Sequence, residues 1–152
     1  MIIDAHIHCS GEEKVGDVLH ALDHAAVDKA ILLAPFLIGS FTLNNADSLR
    51  RANEHLARLV AGHGDRLIGF AVANPSLENA CDDLSRALDL GLHGVKMVPA
   101  GWYPYDDCAH RIYETASRLN LPILFHSGIF IDGKSGRFCR PVFYVAIRDH
   151  PA

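Results

Sequence analysis

The chain opens Met1-Ile2-Ile3-Asp4-Ala5-His6-Ile7-His8-Cys9, and this stretch decides how the rest is read. Apolar residues alternate with Asp4, His6 and His8. Residues two apart on a β-strand share a face. The pattern therefore predicts a first strand over 2–8, with Asp4, His6 and His8 on one side and Ile3, Ala5 and Ile7 on the other. Two imidazoles in such positions can grip one metal ion. Asp4 can accept from an imidazole and orient it, or bond to backbone amides as a structural carboxylate.

Outward from this strand the chain repeats one theme. Val15, Val18, Leu19, Leu22 and Ala26 fall at helical spacing and predict a helix over 15–27. The run Lys29 to Ala34, halted by Pro35, suits a strand covered on both faces. A loop over 35–45 leads to a helix capped by Asn44 or Asn45, carrying Leu49, Ala52, Leu56, Leu59 and Val60 and stopped at Gly62. Leu67 to Val72 is a third buried run. Asn74-Pro75-Ser76 turns into a helix bearing Leu77, Ala80, Leu84 and Leu88, ended by Gly91. Gly94 to Val98 is the fourth strand. Asp106 or Asp107 caps the next helix, and Pro122 to His126 is the fifth strand. A Gly-rich basic loop runs through Arg137, and Pro141 opens a helix to about Asp149. Alternating strands and helices imply parallel strands joined by right-handed crossovers. Residues 1–152 read as one α/β domain of five βα units.

Bulk composition narrows the partners. Apolar residues make up 49% of the chain and charged residues 21%, as in an ordinary globular domain. A net charge of -4 with no basic patch argues against nucleic acid. The sequence shows no signal peptide and no apolar stretch near the ~18 residues of a membrane span. Cys9, Cys81, Cys108 and Cys139 are scattered and form no paired motif, which fits a reducing cytoplasm.

Chemistry in α/β folds collects at the C-terminal ends of the strands. His6 and His8 end the first strand there, and His126 ends the fifth, so all three converge on one mouth as candidate metal ligands. Lys96 belongs to the fourth strand and can bind an anionic group of a small-molecule substrate or bridge metals as a carbamate. Trp102 and Tyr103, with Tyr105, can wall a pocket or simply pack their loop. Arg137 and Arg140 can pair with a carboxylate. His20, His24, His55, His63, His93 and His110 fall on helices and turns and read as surface or capping residues.

The chain resembles the amidohydrolase superfamily, specifically its amidohydrolase-2 branch. The resemblance rests on Ile3-Asp-Ala-His-Ile-His8, on Gly91-Leu-His-Gly-Val-Lys-Met-Val-Pro99 and on Leu121-Pro-Ile-Leu-Phe-His-Ser-Gly128, in that order and spacing. It implies a TIM-type (β/α)8 barrel, here incomplete with about five units, and a divalent metal at its mouth held by His6, His8 and His126. Zinc is the expected metal, with manganese, iron or cobalt as alternatives. The implied chemistry is hydrolysis of a small amide, ester or lactone by metal-activated water. Decarboxylation or hydration is the alternative within the same family. The family's acid/base histidine and further aspartate ligand belong to strands expected past Ala152. A missing C-terminal half, or a homo-oligomeric half-barrel, is therefore expected, and a non-catalytic piece that needs a partner is the third reading. A phosphoesterase of the polymerase-and-histidinol-phosphatase type also begins Asp-x-His-x-His. It requires further histidines and carboxylates after strands two and three, where this sequence offers none close by.

Overall fold

The computed structural model describes residues 1–34, 41–129 and 136–148. The segment beginning at Pro35, the centre of the loop before Arg137, and Asp149 onward lie outside the described residues. Five strands form one parallel sheet in chain order: β1 (Ile3–His8), β2 (Lys29–Leu33), β3 (Leu67–Ala73), β4 (Val95–Met97) and β5 (Ile123–Phe125). The crossovers carry α1 (Val15–His24), α2 (Ala46–Val60), α3 (Ala80–Asp89) and α4 (Asp107–Arg118). After β5 come two 3₁₀ turns, Gly136–Phe138 and Pro141–Tyr144, and a short α5 (Val145–Arg148). The sheet curls as an incomplete (β/α) barrel, with β1 and β5 as its two outer strands.

The core lies between the sheet and its helices. Ala71, Ala73, Val95 and Met97 from the strands meet Leu56, Leu84, Ala87, Ala109, Ile112 and Ala116 from the helices. Strand alternation then sends the intervening residues to the concave side. The outer strand β1 is poorly covered: Ile2 and Ile3 are 58% and 49% exposed. Exposed apolar residues along the open edge of a sheet invite pairing with another strand.

Three crossovers end in the same way. After α1, the Val27 N–H donates to the Leu22 carbonyl at 2.9 Å, five residues back, and Ala26 has a φ of 54°. After α3, Leu92 donates to Ala87 at 3.3 Å, with Gly91 at φ 95°. After α4, Leu121 donates to Ala116 at 2.8 Å, with Asn120 at φ 52°. This left-handed closure stops the helix and aims the chain into the next strand. It explains why α1 stops at His24 and not at residue 27. The helix after Pro141 is likewise shorter than its pattern predicts, because its first turn is 3₁₀.

Asn45 caps α2 by accepting from the Ser48 N–H at 2.9 Å. Asp106 precedes α4 but its carboxylate accepts from the Tyr103 N–H at 2.7 Å, so it tightens the loop without capping the helix. Deeper in α2, Asn53 has another task. Its amide oxygen accepts from the Val72 N–H at 2.8 Å, and its amide nitrogen donates to the Val72 carbonyl at 3.1 Å. β2 ends at Leu33, opposite Phe70. Val72 lies two residues further, where no β2 residue remains to pair with it, and the Asn53 side chain stands in for the missing strand.

Gly94 is required by packing. A Cβ at this position would sit 2.4 Å from the ring of buried Phe70. Gly94→Ala is therefore expected to cost about 1–3 kcal/mol through overpacking, seen as a lower urea midpoint. An unchanged midpoint would show that Phe70 has room to move.

Candidate metal centre

Ile7 packs against the helix-side core, which leaves His6 and His8 on the concave face. Their Nε2 atoms lie 3.0 Å apart, and the rings are 4.9 Å between centroids at 54°. Two nitrogens each about 2.1 Å from one tetrahedral ion lie about 3.4 Å apart. The pair, here in hydrogen-bonding contact, needs to open by only a few tenths of an ångström to chelate.

β1 reaches this geometry through an irregularity. Its register passes from Asp4 opposite Ala30 to Ile7 opposite Leu32, three residues against two. Such a bulge re-aims side chains. Asp4 Oδ1 accepts the His6 backbone N–H at 3.0 Å and so braces the bulged backbone. Of the two roles open to Asp4, the structure displays the backbone one.

The electrostatics keep both imidazoles neutral. Burial, then the Lys96 charge, lowers the His6 pKa, with Asp4 opposing. His8 is lowered to about 4 by burial, then Lys96, then His6. Neutral imidazoles offer lone pairs to a cation, so this donor set fits a divalent ion.

His126 follows β5, whose Phe125 packs helix-side, and so shares the concave face. Its N–H donates to the Met97 carbonyl at 2.8 Å, and its own carbonyl accepts from the Tyr144 hydroxyl at 2.5 Å. Its pKa is lowered by burial, Lys96 and His6, which places it in the same field. Among the described residues, however, no three His, Cys, Asp or Glu side chains gather closely enough to hold an ion. The structure pairs His6 with His8 and places His126 just after the opposite outer strand of the sheet.

Lys96 sits between these edges on β4. It is completely buried, and its Nζ has no hydrogen-bond partner. Burial lowers its pKa to about 8, with Cys139 opposing. Cys139 is also buried, and its thiol donates to the Pro99 carbonyl at 3.0 Å. Burial pushes that thiol up to about 11. Neither the Tyr144 tether nor the Cys139 contact carries a sequence signal, because each joins residues far apart in the chain.

The remaining candidates follow β4 and β5. Trp102 is 2% exposed and packs into the apolar core. Tyr103 stacks on Tyr105 at 5.1 Å and meets the Phe138 and Phe143 rings at 4.7 and 5.3 Å, so the loop after β4 leans on the turns after β5. The Arg137 guanidinium lies 4.5 Å from the Phe138 ring centroid. Arg137 and Arg140 border an open cleft of about 270 Å³ together with Gly128, Gly136 and Cys139. His55 is not a plain surface residue: its Nε2 lies 3.5 Å from a Glu13 carboxylate oxygen, linking α2 to the loop after β1.

Comparison with known proteins follows the same lines. No curated protein matches the chain. Among solved structures, 5-carboxyvanillate decarboxylase from Novosphingobium aromaticivorans, with bound manganese, is 25% identical at a TM-score of 0.64, covering 80% of this chain and 37% of that one. 4-Oxalomesaconate hydratase from Rhodopseudomonas palustris is 19% identical at a TM-score of 0.64, covering 83% and 52%. 2,6-Dihydroxybenzoate decarboxylase from Rhizobium is 18% identical at a TM-score of 0.64, covering 88% and 52%. The chain therefore spans about half or less of the length of these proteins. No helix among the described residues is long and apolar enough to cross a membrane. The sequence model described as Amidohydrolase matches residues 3–152. With a curled parallel sheet and paired histidines at the end of its first strand, the chain belongs to the amidohydrolase-2 family.

Proposed function

We propose that this chain forms part of a metal-dependent hydrolase acting on a small amide, ester or lactone. His6 and His8, joined by His126, hold one divalent ion, with zinc favoured by the nitrogen donors. The observation that carries this reading is the 3.0 Å convergence of two neutral imidazole nitrogens. When bound, such an ion polarises a substrate oxygen and makes water a nucleophile near neutral pH. The acid/base group and the remaining ligand come from outside these five βα units. Decarboxylation or hydration is the second reading, supported by the manganese-bound decarboxylase that is 25% identical.

Metal titration of the chain tests the site. Mn²⁺ is expected to bind weakly, and His6→Ala or His8→Ala to lower its affinity by about tenfold or more. Because His8 is held at about 4, protons compete little, so affinity is expected to change little between about pH 7.5 and 6. A steep loss across that range, or unchanged affinity in both variants, would remove the ligand assignment. Tight stoichiometric metal with rapid turnover in the isolated monomer would overturn the incomplete site. Solvent ¹⁸O entering the product marks hydrolysis, whereas solvent deuterium entering a new C–H bond marks decarboxylation.

A further inference from the structure

The ladder between β4 and β5 runs out at a proline. Val95 donates to the Pro122 carbonyl at 2.9 Å, and His126 donates to the Met97 carbonyl at 2.8 Å. In a parallel ladder, every second residue bonds its neighbour through both its N–H and its carbonyl, so the next rungs are fixed. The His126 carbonyl would next accept from the N–H of residue 99, and the residue-99 carbonyl from the N–H of Gly128. Residue 99 is proline, which has no N–H to give. Two residues from beyond β5 fill these places. The Tyr144 hydroxyl donates to the His126 carbonyl at 2.5 Å. The Cys139 thiol donates to the Pro99 carbonyl at 3.0 Å. The Cys139 carbonyl in turn accepts from the Gly128 N–H at 3.2 Å and from the Ser127 hydroxyl at 3.1 Å. The Tyr144 ring also lies against Phe125, with 4.7 Å between centroids. Without the hydroxyl, the His126 N–H is the last rung of β5, and a strand tip with few bonds frays. The direction of the imidazole depends on the backbone at that tip.

We propose that Tyr144 is a positioning residue for His126: its hydroxyl replaces the rung that Pro99 cannot supply and so fixes the strand tip that carries the imidazole. The inference rests on His126 being a metal ligand, as proposed above. A ligand held in place before the ion arrives loses less freedom on binding, and the difference appears as affinity. Tyr144 acts through the His126 peptide and touches neither ion nor substrate. Cys139 closes the Pro99 side of the same gap.

The test uses the 152-residue chain and Mn²⁺ alone. Tyr144→Phe keeps the ring on Phe125 and removes only the hydroxyl. It is expected to lower Mn²⁺ affinity by about tenfold. In a His126→Ala background the same change is expected to cost nothing further, because no imidazole is left to position. Pro99→Ala added to Tyr144→Phe is expected to recover most of the loss, since residue 99 then has an N–H for the His126 carbonyl. A second readout needs no metal. With ¹³C-labelled histidine rings, NMR relaxation is expected to show His126 more mobile in Tyr144→Phe, with His6 and His8 as in the wild type. An equal loss of Mn²⁺ affinity in both backgrounds, or no recovery with Pro99→Ala, would make the hydroxyl a general stabiliser and overturn the proposal. So would a His126 ring as rigid in Tyr144→Phe as in the wild type. If His126→Ala keeps the wild-type Mn²⁺ affinity, the ligand assignment of His126 fails by itself, and ring relaxation alone then decides the tether.

Discussion

Lys96→Met is expected to stabilise the chain by about 3 kcal/mol at pH 7. A lysine held at about 8 in the fold and near 10.5 when unfolded keeps its proton less readily in the native state. Below the folded value both states are charged, and the native state bears the full cost of a buried ammonium. Between the two values the native amine is neutral while the unfolded one still binds a proton. Unfolding then takes up a proton, so wild-type stability rises with pH across that window. Methionine has similar length and no charge, so the variant escapes the cost at pH 7. Its advantage over the wild type shrinks as pH approaches 10.5. Urea unfolding of both proteins at about pH 7 and pH 10 measures this difference. A variant that is less stable, or an advantage that does not change with pH, would show that the ammonium is well solvated.

Asn53→Ala is expected to cost about 3 kcal/mol. The Asn53 side chain is 3% exposed, and it satisfies both the N–H and the carbonyl of Val72. Truncation leaves two buried backbone groups without partners, each worth about 1–3 kcal/mol. Asn53→Asp is a sharper probe. The carboxylate can still accept from the Val72 N–H but cannot donate to its carbonyl, and a buried charge is added. Both variants should lower the urea midpoint, with Asp no better than Ala at neutral pH. A midpoint within experimental error of the wild type would mean that water replaces the amide at this junction.

Much of this architecture is legible in the residues themselves, and the exceptions have physical causes. The run Lys29–Leu33 reads as a strand because Ala30, Leu32 and Leu33 are all buried, whichever face they take. The His6–His8 convergence reads from a two-residue spacing, since same-face neighbours on a strand are close by construction. The distance to His126 does not, because it depends on how far the sheet curls between its edges. The end of α1 is hidden because Ala26 takes a left-handed conformation, at φ 54°, that alanine rarely adopts. Gly91 announces the same turn after α3. Asn53 looks like any polar residue on a helix, and its role follows from where another strand stops. Trp102 follows a strand ending at the proposed mouth, yet its ring is taken by the apolar core.

The closure that follows α1, α3 and α4 also bears on how such a chain is made. Each strand pairs only with its neighbours in sequence, and the sheet order repeats the chain order. Each of these helices is tied off within its own last turn before the next strand is needed. A sheet of this kind can be laid down in the order of synthesis, with the N-terminal unit settling first as the chain leaves the ribosome. Every completed strand then serves as the template for the one that follows, and β5 is the growing end.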